Sequence, residues 1–170
     1  MANSAERPVA VYRVHPVAFW ASLFIALLLD VSLPVKMPLA RLFDFPALMT
    51  IYFAAIGRSK IFGVGLGASI GLVQDALSHG LLGMSGIANT LVGYFAAYVG
   101  IKFDMEQLGA RYVLAGALVL VHSLALAALS QILLESPTPV TTLGLAATVV
   151  VNVGLALIGY PILDRFKYHV

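Results

Sequence analysis

The chain contains no cysteine. That excludes a disulfide framework, a thiolate zinc site, an iron–sulfur cluster and a thiol nucleophile. Charge is scarce too: Asp, Glu, Lys and Arg make up 11% of 170 residues, against roughly 25% in a soluble domain. Neither sign dominates, since ten Lys and Arg against eight Asp and Glu give a formal +2. A balance this small needs only lipid headgroups to explain it and gives no reason to invoke nucleic acid. Tryptophan occurs once, at Trp20. No HExxH occurs, and no close cluster of histidines and carboxylates, so the expectation is no catalytic, metal or cofactor site. The GxGxG from Gly63 to Gly67 follows no strand and sits in an apolar run of helical length, so it is no nucleotide loop.

What the chain has is apolar length. Hydrophobic residues make up 61% of it, and mean hydropathy is +0.96, the composition of an integral membrane protein. A helix rising 1.5 Å per residue needs about 20 apolar residues to cross a core of roughly 30 Å. Spans are expected at about 17–35, 45–57, 61–77, 86–101, 112–134 and 140–163, giving an all-α bundle of six transmembrane helices in a single membrane domain, 1–170. The opening MANSAERPVAVYRVHP lacks an apolar signal core, so the first run is expected to be a retained span. PVKMPLARLFDFP, with three prolines and three charges, reads as an interfacial loop. The second span is short, and a thinned or tilted crossing would accommodate it. KFDMEQLGAR, from Lys102 to Arg111, reads as a water-exposed hairpin.

An even number of spans puts both termini on one side. With the N-terminus cytoplasmic, Arg7, Arg13, Arg58, Lys60, Lys102, Arg111, Arg165 and Lys167 lie inside, and only Lys36 and Arg41 lie outside. That is the positive-inside asymmetry expected of a multi-pass membrane protein with both termini in the cytoplasm.

Ile61 to Ile101 is the stretch around which the chain is organised. Gly63, Gly67, Gly71 and Asp75 recur every fourth residue, and at about 100° per residue that spacing drifts only about 40° per step. They form one winding stripe, with Leu66 off it. Gly86, Thr90, Gly93, Ala97 and Gly100 form a straighter seam. Small residues so spaced let helix backbones approach closely in a bilayer. Asp75 has two readings: a carboxylate hydrated or hydrogen-bonded near its helix end, with Ser78 and the following turn, or a buried contact with a partner helix. Asp30 reads as interfacial, and His122, Gln131 and Asn152 read as interhelical hydrogen-bonding groups.

From Phe45 to Asp104, the short second span, the basic turn after Gly57, GxxxGLxxDxLS, the following LG and then TLVGYFA resemble the rod shape-determining MreD family. The matching positions are Gly71, Leu72, Asp75, Ser78, Leu82, Gly83, Gly93 and Tyr94. The resemblance implies a non-enzymatic inner-membrane scaffold subunit of the bacterial cell-elongation machinery. Its implied partners are MreC and, through MreC, the actin-like MreB, the glycosyltransferase RodA and a class B penicillin-binding transpeptidase. Combined with the stripe and seam, it puts the partner or helix-packing interface at Gly63, Gly67, Gly71, Asp75, Ser78, Gly83, Gly86, Gly93 and Tyr94. The other reading is the substrate-binding S component of an energy-coupling-factor vitamin transporter, a six-helix protein whose fold the two readings can share. Its docking stripe would be Ala18, Ser22 and Ala26, but its ligand site would need outer aromatic residues that this chain lacks.

Overall fold

The computed structural model describes residues 12–78, 81–103, 107–134 and 141–169. Arg7, His79, Gly80, Asp104, Met105, Glu106 and the turn from Glu135 to Pro139 lie outside the described residues. Six helices long and apolar enough to cross a membrane follow in order: α1 Pro16–Lys36, α2 Phe45–Gly57, α3 Lys60–Ser78, α4 Met84–Lys102, α5 Leu108–Leu133 and α6 Thr142–Asp164. The protein is an all-α membrane bundle.

The shortest helix is the hub. α2 has only 13 residues, yet a 3-10 turn at Pro38–Leu42 leads into it, and Leu39 to Gly57 together form a 19-residue apolar crossing. The Asp44 carboxylate caps α2 by accepting from Ala47 N at 3.1 Å, and Pro46 sits in the first turn, where it needs no N–H partner. The loop expected from Pro34 to Pro46 is therefore mostly helical: α1 runs through Pro34 to Lys36, and the 3-10 turn fills much of the rest. Leu48, Ile51, Tyr52, Phe53, Ala54 and Ala55 are all buried, and the α2 span is 56% buried against 11% for α1 and for α6. The two outermost helices thus turn most of their surface away from the protein.

α3 and α4 form the closest pair. α2 ends at Arg58, whose φ of 48° is left-handed, and Ser59 Oγ accepts from Phe62 N at 3.3 Å to start α3. A Cβ built on Gly63 would overlap the Gly93 carbonyl, one on Gly67 the Asn89 carbonyl, and one on Gly71 the Ser85 carbonyl. A Cβ on Gly100 would meet the Ala55 carbonyl of α2 instead. The backbones touch because no side chain separates them. Leu66, off the glycine stripe, is buried in the core.

At the other side of the bundle, β1 Tyr12–Val14 pairs antiparallel with β2 Lys167–His169, Tyr12 opposite His169 and Val14 opposite Lys167. This ribbon joins the first and last described segments on one side of the bundle, in keeping with an even number of crossings. Beside it the expected water-exposed hairpin is corrected at its far end: Lys102, Phe103 and Gln107 are exposed, but α5 begins at Leu108, four residues before the expected Tyr112, and Arg111 is 7% exposed. Its guanidinium meets Asp164, the last residue of α6, through two nitrogens at 2.6 and 3.1 Å. It lies 5.5 Å from the ring centroids of both Tyr52 and Tyr160. Tyr52 Oη also donates to Asp164 at 2.8 Å. One carboxylate thus joins α2, α5 and α6, and a long cationic side chain turned toward it need not end in water.

Candidate functional site

At the end opposite the ribbon, where α1, α3 and α5 finish and α2, α4 and α6 begin, the six helices surround a cup of about 860 Å³. Its polar wall is assembled from groups far apart in sequence. Asn152, buried in α6, accepts from Asp44 N at 2.9 Å and donates to the Leu42 and Thr148 carbonyls at 2.7 and 2.8 Å. That three-way contact fixes the entry to α2 against α6. Asp44 Oδ2 then faces His122 Nδ1 of α5 at 2.6 Å, an ion-pair contact without the alignment of a hydrogen bond. On the opposite wall, Gln74 Nε2 donates to Asp30 Oδ2 at 3.0 Å, and Gln74 Oε1 accepts from Asn89 Nδ2 at 3.1 Å. Asp30, expected to be merely interfacial, belongs to this α1–α3–α4 chain of hydrogen bonds.

Asp75 lies at 3% exposure. Its Oδ2 accepts from Gly83 N at 2.8 Å and Gly86 N at 3.2 Å, and its Oδ1 accepts from Ser85 N at 3.0 Å. These are first-turn donors of α4, which no carbonyl of the same helix can satisfy. A carboxylate one helix away thus serves as the cap, its charge placed at the positive end of the α4 dipole. Gly83 makes the geometry possible, because the residue before α4 has φ +103°, a conformation an L side chain rarely adopts. Of the other residues expected at an interface, Ser78 is exposed, with Oγ 3.5 Å from the Asp75 carbonyl.

The stripe and seam are turned toward each other. Gly63, Gly67 and Gly71 face Gly93, Asn89 and the Ser85–Gly86 backbone within this one chain, so the helix seated on the stripe is α4. Gly86 would carry its Cβ against the Leu72 side chain. Tyr94, like Ser78, is exposed, at 38%. It stacks on Tyr98 at 6.5 Å, and Lys60 Nζ lies 5.7 and 4.9 Å from the two rings.

Residue reading missed Asp44 and the Arg111–Asp164 pair. Asp44 had a local signal, an acidic residue two before a proline at the start of an apolar run, which is a helix-start pattern. Arg111 and Asp164, at opposite ends of the last two helices, had none.

The capped turn and the glycine contacts occupy the residues of the GxxxGLxxDxLS and LG segments, and a family profile described as rod shape-determining protein MreD matches residues 12–166. The chain belongs to the MreD family. The match reaches well beyond the segment from Phe45 to Asp104 that carried the resemblance and takes in all six helices. MreD proteins serve rod-shape determination, and this one is a multi-pass membrane protein. No curated protein and no solved structure matches the chain.

Proposed function

We propose that this MreD-family chain is a non-enzymatic scaffold of the cell-elongation complex in the bacterial inner membrane, where it binds MreC and supports lateral peptidoglycan synthesis. Through MreC it would be joined to MreB, RodA and a class B penicillin-binding transpeptidase. The observation supporting a scaffold is how the bundle divides its surfaces. The glycine stripe of α3 and the seam of α4 are taken up against each other, whereas α1 and α6 are each buried over only 11% of their spans. Phe24, Ile25 and Leu28 on α1 and Leu157 and Ile158 on α6 are exposed, offering apolar faces to a single-span partner helix. Gly63, Gly67, Gly71, Asp75, Gly83, Gly86 and Gly93 serve this role indirectly, as the clamp that keeps the bundle rigid.

The transporter reading draws on the cup, but among the described residues of its wall the only Phe, Tyr or Trp is Phe43. The test is photocrosslinking from Ile25 and Ile158 in rod-shaped cells that rely on this protein for their shape. An adduct with the MreC-type partner from at least one position is expected. Normal rods, with no adduct from either position or from other exposed sites on α1 and α6, would sink the scaffold reading as stated.

A further inference from the structure

The cup holds polar atoms that the fold leaves without a hydrogen-bond partner among the described residues. His122 is 1% exposed and lines it. With Nδ1 beside Asp44, its Nε2 is buried without a hydrogen-bond partner among the described residues. Leaving such an atom unmatched is unfavourable, and a leucine would pack an apolar bundle as well. Across the cup, Gln74 takes Oδ2 of Asp30, and Oδ1 of Asp30 makes no hydrogen bond among the described residues.

The other two carboxylates in the wall are matched: Asp75 by three backbone N–H groups, and Asp44 by Ala47 N and His122. Arg41 is the one Lys or Arg among the described lining residues, and it is exposed. Among those residues three carboxylates stand against one guanidinium and the His122 imidazole that faces Asp44, with Asp30 the carboxylate left over. About 860 Å³ is the size of a small-molecule site.

We propose that the cup binds a molecule carrying a primary ammonium group. Its N–H donors meet the Asp30 carboxylate, and a second polar atom of the same molecule meets His122 Nε2. A primary ammonium fits where a quaternary one does not. The unmatched group is a hydrogen-bond acceptor that needs N–H donors, whereas quaternary ammonium ions are held by cages of aromatic faces, and among its described residues the wall offers only Phe43. The group could come from the headgroup of an aminolipid or from a soluble amine.

The absence of cysteine makes the test direct. Ser123→Cys puts a single thiol in the cup wall of the full chain, purified in lipid nanodiscs, and its rate of reaction with a charged maleimide reports occupancy. In phosphatidylglycerol discs, ethanolamine or glycerophosphoethanolamine is expected to slow labelling about tenfold, while choline and N-acetylethanolamine leave it unchanged. Discs of phosphatidylethanolamine that protect the thiol without added amine identify the lipid as source; protection only by the soluble amines identifies a free ligand.

Asp30→Asn should abolish protection by either source, and Asp30→Glu should restore it. Equal protection by choline or by the acetylated probe would overturn the proposal, and so would protection that survives Asp30→Asn. So would a thiol shielded only when the MreC-type partner is co-expressed, which would make the cup a protein-docking site. The ethanolamine and choline comparison keeps Asp30 and His122 unaltered, so it decides the matter where Asp30→Asn fails to insert.

Discussion

Asp75 has its two oxygens engaged by three backbone donors at the start of α4, so substitutions there separate hydrogen bonding from charge. Asp75→Ala leaves those donors without the carboxylate and is expected to destabilise the bundle by roughly 1 to 3 kcal/mol. Asp75→Asn keeps one acceptor oxygen and turns an NH2 toward the remaining donors, so an intermediate loss is expected. Unfolding of the purified protein in mixed detergent micelles measures both, and an Asp75→Asn protein as stable as wild type would remove the cap from the account. Arg111→Ala tests the opposite end. Breaking a fully buried pair costs about 3 to 5 kcal/mol, but Asp164 is 29% exposed and keeps Lys167 and Tyr52 as partners. About 1 to 3 kcal/mol is therefore expected in the same assay.

The α3–α4 pair makes a sharp prediction for two glycines two residues apart. A Cβ at Gly67 would fall on the Asn89 carbonyl, a backbone group that cannot swing aside, whereas a Cβ at Gly65 meets nothing within 4 Å. Gly67→Ala should therefore destabilise by roughly 1 to 3 kcal/mol through forced separation of the helices. Gly65→Ala should be neutral or stabilising by up to about 1 kcal/mol, since alanine is the better helix former. Gly67→Leu is expected to reduce the amount of folded protein before any partner is considered. Loss of MreC-type partner from a Gly67→Leu protein of normal stability would instead place that partner on the stripe.

For the whole molecule, the ribbon of β1 and β2 puts the described ends of the chain at one side, and the eight-to-two distribution of basic residues predicts that this side is cytoplasmic. Since there is no native thiol, a cysteine at Leu82, 75% exposed at the cup end, should react with an impermeant maleimide in intact cells. One at Ser59 should react only after the membrane is opened. The reverse pattern would invert the protein and turn the cup toward the cytoplasm.

The sequence by itself determined the membrane class, the six crossings and the residues at which helices touch most closely. Bilayer thickness sets the length of an apolar run, and small residues every third or fourth position mark a close approach, and both are local patterns. Only the tertiary structure decided which helix fills the stripe. A row of glycines records that a backbone comes near without recording whose, and here it belongs to the next helix of the same chain. The polar contacts were out of reach for a related reason. Asp44 and Asn152 lie 108 residues apart, and Tyr52 and Asp164 lie 112 apart, separations that carry no periodicity. Arg111 stands in a charged stretch at a hydropathy boundary and reads as exposed, yet its side chain turns inward because Asp164 and two tyrosine rings wait there. The cup follows from that same long-range geometry: it exists only where six helix ends, each unremarkable alone, are brought around one space.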